Sequence, residues 1–111
     1  MGINVERAAQ LPLLIQQGSS FLRTLVIEDH PATDYQFRGQ IRAFHESSDV
    51  LAEFNFQVAN DNQVAWTLAP EVTAALPAQR LVYDVEMYND SVGFVARIIE
   101  GDVDVTPEVT R

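Results

Sequence analysis

The chain contains no cysteine, so neither a disulfide framework nor a thiolate metal site can form, and packing must supply stability. It contains no lysine either, and its basic side chains are all arginine. With sixteen acidic residues against seven basic ones the net charge is −9. That balance argues against a nucleic-acid partner, which demands a basic surface to neutralise phosphates. No apolar run approaches the length that crosses a bilayer, so no membrane partner is expected. The opening "GINVERAAQ" has neither a basic start nor a continuous apolar stretch, and no signal peptide is read there. Histidine is scarce: His30 and His45 lie in or beside expected loops, neither has a second histidine at metal-ligand spacing, and both are expected at the surface.

What the chain does have is alternation. With 47% hydrophobic residues in 111, one folded core is expected. The reading gives an N-terminal arm over 1–12 and a single domain over 13–111. "LLIQQGSSFLRTLVIED" gives two strands, about 13–16 and 20–28, broken at Gly18. "QFRGQIRAFH" sets Phe37, Gly39, Ile41 and Ala43 on one face and Arg38, Gln40, Arg42 and Phe44 on the other. "VLAEFNFQVA" puts Val50, Ala52, Phe54, Phe56 and Val58 inward along one strand, the cleanest period-two pattern in the chain. After the "NDN" turn, Val64, Trp66 and Leu68 point inward, with Trp66 in the core.

Pro70 suits the first position of a helical turn, Glu71 favours its N-terminus and Pro77 cannot continue it, so a short helical turn is expected near 70–76. "LVYDVEMY" then buries Leu81, Tyr83, Val85 and Met87. In two-sheet Greek-key folds a tyrosine early in such a strand ties its hydroxyl back to the preceding crossing, and Tyr83 is the candidate. In the last segment Val92, Phe94, Ala96 and Ile98 have one parity while Val103 and Val105 have the other, which favours a register-resetting bulge at Gly101; a continuous strand with Val95, Ile99, Val103 and Val105 inward competes, but it points Arg97 inward too. Seven short strands at roughly ten-residue intervals predict an all-β, seven-stranded antiparallel Greek-key (immunoglobulin-like) β-sandwich, with an open barrel as runner-up.

Catalytic chemistry is hard to find. Ser19 and Ser20 lack a nucleophile-elbow context and read as turn formers. Asp84, Glu86, Glu100, Asp102 and Asp104 fall outward on the two final strands, which spreads them over a solvated face instead of gathering them round a cation. No catalytic, cofactor-binding or metal-binding residue is assigned, and the chain is read as no enzyme. Arg38 and Arg42 with Phe44 form an arginine and aromatic patch of the kind that interfaces enrich. In the arm, Ile3, Val5 and Leu11 need a home, and docking onto another subunit through an exposed sheet edge is expected.

The stretches "QQGSSFLRTLVIED", "YQFRGQIRAF", "WTLAPEVTAAL", "LVYDVEM" and "IIEGDVDVTPEVTR" resemble the small β-sandwich virion proteins of tailed bacteriophages. The likeness is to long-tail-fibre-associated and baseplate-associated sandwich domains, and runs from about residue 13 to the end. The resemblance implies a non-enzymatic structural protein of the virion, made in the bacterial host cytoplasm. It would act as an assembly or adaptor component of the tail, baseplate or tail fibre, with other phage structural proteins as partners and a homo-oligomeric state in the particle. A capsid decoration protein is the alternative. The resemblance carries no binding residue across.

Overall fold

The computed structural model describes residues 2–3 and 8–110. Among these, ten strand segments form two sheets. The smaller sheet runs in the order β1 (Gly2–Ile3), β4 (Phe21–Ile27), β8 (Gln63–Leu68), β7 (Asn55–Asn60). The larger runs β2 (Ala9–Gln10), β10 (Phe94–Thr106), β9 (Arg80–Asn89), β5 (Gln36–Arg42), β6 (Ala52–Glu53), and β3 (Leu13–Gln16) continues beyond β2 along the same side of β10. This is the strand order of an immunoglobulin-like β-sandwich, with the central three strands of the larger sheet, β10, β9 and β5, flanked by β6 on one side and by β2 and β3 on the other. The expected sandwich is present and the open barrel is not, but seven strands was too few. Short segments such as β1, β2 and β6 carry too little alternation to be read as strands. Nor is the pairing wholly antiparallel, since β1 joins β4 and β2 and β3 join β10 in parallel. The span expected as an arm therefore carries β1 and β2, both paired to strands of the sandwich.

The interior follows the alternation. Val64, Trp66 and Leu68 on β8 and Leu81, Tyr83, Val85 and Met87 on β9 are all buried, meeting Ile15, Leu25, Ile27 and Ile41 from the other strands. Trp66 packs edge-on against Phe21 and Phe54, with ring centroids 5.3 and 5.2 Å away, and Tyr83 lies 5.8 Å off. Tilted and edge-to-face pairs at such separations add to the area they bury.

The segment with the cleanest alternation is not one strand. β6 pairs with β5 in the larger sheet, and β7 pairs with β8 in the smaller, so the chain changes sheets at Phe54. Phe54 N–H still donates to Gly39 O at 3.0 Å, while its ring enters the aromatic cluster between the sheets. Period two continues through the switch because an inward residue stays inward in either sheet. Val50, expected inside, is 39% exposed because it precedes the paired residues.

The short helix α1 (Pro70–Ala74) forms with Pro70 at its start, as its two prolines predict. Thr73, wholly buried, donates through Oγ1 to Ser19 O at 2.8 Å, and Gln17 Nε2 donates to Leu76 O at 2.7 Å. These bonds pin the crossing to the β3–β4 turn, where Gly18 takes a φ of 80° that only glycine adopts without strain.

Two expectations shift in the final hairpin. The bulge falls between Arg97 and Ile99, not at Gly101, because Ile98 and Ile99 are both buried and only an extra residue lets neighbours point the same way. Gly101 instead lies opposite Tyr83 with the Leu11 backbone pressed against it, where a Cβ would collide with the Leu11 carbonyl. That same carbonyl accepts the Tyr83 hydroxyl at 2.7 Å, so the tyrosine anchors the N-terminal crossing and not the one at 70–77. Burial pushes the Tyr83 phenol well above its ordinary value, which keeps it a hydrogen-bond donor throughout the physiological range.

Gly101→Ala should therefore lower stability by about 1–3 kcal/mol through overpacking. Tyr83→Phe should cost about 1 kcal/mol by stranding the carbonyl. Urea denaturation of the two variants checks both, and equal midpoints for wild type and Gly101→Ala would show that the contact is loose.

Candidate interaction surface

The two sheets present outer faces of opposite character. On the larger sheet the register aligns Arg38 with Glu86 and Arg97, and Gln40 with Asp84 and Glu100. Arg38 Nε donates to Glu86 Oε1 at 2.7 Å while its guanidinium lies over the Tyr88 ring, 4.3 Å from the centroid. The hydrogen bond to Glu86 holds the Arg38 guanidinium above its ordinary value. Arg97 reaches Glu100 at 3.2 Å and Asp84 at 3.6 Å. Further along, Arg80 meets Asp104 at 2.9 Å, and that hydrogen bond draws the Asp104 carboxyl below its usual range. The acids read as a solvated face thus lie outward as expected, and two of them, Glu86 and Asp104, have an arginine directly across the strand. Exposed pairs of this kind contribute little to stability.

Arg38, Gln40, Asp84, Glu86, Arg97 and Glu100 line a groove of about 820 Å³ across β5, β9 and β10. Asp84 sits in its floor. Burial, followed by the like charge of Glu86, pushes its carboxyl up against the opposing pull of Arg97. His45 borders both this groove and a smaller hollow of about 360 Å³ beside Leu11 and Gly101.

The residues expected at an interface divide. Arg38 and Arg42 do share the outer face of β5, and both are engaged within the chain: Arg42 donates to Ser47 O at 2.5 Å and to Gln40 Oε1 at 2.8 Å. Arg42 thereby props the loop that follows β5, and on that loop Phe44 stands 56% exposed. Leu51, which the sequence reading missed, is 36% exposed and donates its N–H to Ile41 O. Its position opposite Arg42 follows once the β5–β6 register is known. Leu11 is a half-buried residue packed on the core, with both backbone groups bonded inside the chain, so it is a poor contact for another subunit. Ile3 lies in β1, opposite Ile27. Val5 falls outside the described residues.

His30 corrects another expectation. It is part-covered, packed edge-on against Tyr35 and tilted against Phe94 at centroid distances of 5.7 and 5.9 Å, and its Nδ1 lies 3.3 Å from Asp29 Oδ1. His45 is exposed, as expected. Among the described residues, no three His, Cys, Asp or Glu side chains come together as a metal would need.

The smaller sheet's outer face is a grid of three rows: Leu22, Thr67 and Asn55; Thr24, Ala65 and Gln57; Val26, Gln63 and Asn60. None of the nine positions carries a charge.

The chain matches no protein-family model and no curated protein. Among solved structures it is similar to an extracellular domain of the voltage-gated sodium channel beta4 subunit, a protein described as forming parallel homodimers. The TM-score is 0.43 at 12% identity, over 96% of this chain and 98% of that one. Likeness at that level leaves function to be argued from this chain's own residues.

The groove yields a signed pH prediction. Because the folded state raises the Asp84 carboxyl above its unfolded value, the stability linked to its proton is present below the unfolded value and is lost as pH rises through the folded one. Asp84→Asn should therefore be more stable than wild type at neutral pH, with the gap closing as pH falls through the raised folded value and closed below the unfolded value of about 4. Melting curves of both proteins across that range check it, and a variant less stable than wild type at neutral pH would show that the Arg97 attraction outweighs burial.

Proposed function

We propose that this chain is a non-enzymatic assembly or adaptor component of a bacteriophage tail, baseplate or tail fibre, docking neighbouring virion proteins at the Phe44 end of the larger sheet's groove. The observation that carries the docking is Phe44 itself. An aromatic ring left 56% exposed on a loop held by Arg42, with Leu51 just before β6, gains by burial only against a partner. Around it the groove offers both signs of charge in fixed positions, which selects partners by register more than by net attraction. The phage assignment rests on the sequence resemblance, and the sandwich fold is compatible with it.

Quantitative mass spectrometry of purified particles of the encoding phage tests this. The proposal expects the chain in the virion at a small multiple of three or six per tail. Hundreds of copies would favour capsid decoration, and absence from the particle would end the virion reading altogether. Phe44→Ser should cut incorporation about tenfold, as for loss of a central anchor, with the melting temperature close to that of wild type. Undiminished incorporation would move the docking site elsewhere.

A further inference from the structure

We propose that the uncharged outer face of β4, β8 and β7 is a self-association surface, on which a second copy of this chain stacks its own β4-β8-β7 face about a two-fold axis through Ala65. The argument starts from the distribution of charge. The molecule carries a net −9, and the outer face of its larger sheet is densely charged, with Arg38, Glu86 and Arg97 in one row and Gln40, Asp84 and Glu100 in the next. The smaller sheet is equally able to carry charge on its wet side, yet its three aligned rows hold only aliphatic, hydroxyl and amide side chains. Leu22, 65% exposed, sits in that face.

Two copies of a strongly acidic protein repel each other wherever their carboxylates approach, so the surface on which they can meet is the one that holds none. An isologous pair brings the same patch together with itself, and a neutral grid is compatible with itself in a way that a mixed-charge face in arbitrary register is not. Ala65, in the middle row of the middle strand, has the smallest side chain of the grid and lets the two sheets approach at its centre.

The face is also small. Three strands at about 4.8 Å spacing and three rows about 6.8 Å apart, widened by side chains, give roughly 300 Å² per copy. Stable complexes bury about 800 Å² per partner. Association through this face is therefore weak in free solution, and it becomes effective where another contact holds copies at high local concentration.

Sedimentation velocity of the purified chain tests this. At concentrations up to about 1 mM a reversible monomer–dimer equilibrium is expected. It should strengthen several-fold as salt rises from about 0.05 M to about 0.5 M, because screening relieves the repulsion between acidic copies. A contact made through the charged groove would weaken with salt, so this result and failure of the groove reading are distinguishable.

Ala65→Glu should weaken dimerisation at least tenfold by placing two carboxylates near the axis. Ala65→Arg should do the same, and an equimolar mixture of the two should recover dimers. Thr24→Glu, at an exposed position on the same face, should weaken dimers in the same direction. A chain monomeric at every concentration and salt overturns the proposal, as does a dimer that survives Ala65→Glu and Thr24→Glu. A dimer that weakens with added salt also overturns it.

Discussion

The sandwich depends on the contact that Phe54 makes where the chain passes from one sheet to the other. Its amide stays bonded to Gly39 in the larger sheet, while its ring lies among Phe21, Trp66 and Tyr83 between the sheets. One residue thereby fixes how far apart the sheets stand and in which register β6 hands over to β7. The usual immunoglobulin device at this depth is a disulfide between the sheets. A chain without cysteine reaches a comparable junction with aromatic rings, which bury large areas and hold tilted geometry. A cavity at such a position typically costs about 3–5 kcal/mol, which is a large part of a small domain's stability.

With the interior occupied by packing, chemistry is pushed to the outside, and the two faces divide it. The larger sheet pairs arginine with carboxylate across strands at Arg38–Glu86, Arg97–Asp84 and Arg80–Asp104, and along β10 at Arg97–Glu100. The pairs of Arg38 and Arg97 line a groove that His45 also borders, with the exposed Phe44 next to it in the chain. The smaller sheet carries no charge on its grid. The two proposed contacts would respond to salt in opposite directions.

Much of the fold was legible because alternation is a direct record of which side chains face the core. Trp66, Tyr83, Val85 and Met87 could be placed inside from spacing alone, and the helical turn followed from the positions of Pro70 and Pro77. The sheet switch at Phe54 was not legible, since parity is preserved through it. The bulge was legible in kind but misplaced: Gly101 drew attention as the flexible residue, whereas the adjacent pair Ile98 and Ile99 held the signal. Tyr83 was identified as a tether, but its acceptor at Leu11 is 72 residues away and no local pattern points there. The surface was read less well for the same reason. That Asp84 and Glu86 face outward is a matter of parity, but which arginine each one meets, and that nine neutral positions adjoin, are matters of register between distant strands.

The central claim is that one aromatic junction welds both sheets into a single cooperative unit. Trp66 is the chain's only tryptophan and lies in that junction, so its fluorescence reports on the weld alone. Unfolding in denaturant, followed by Trp66 emission and by far-ultraviolet circular dichroism, should give superimposable transitions with one midpoint. Loss of the tryptophan signal at lower denaturant than loss of the sheet signal would contradict the account, because the sheets would then persist without the contact said to hold them together.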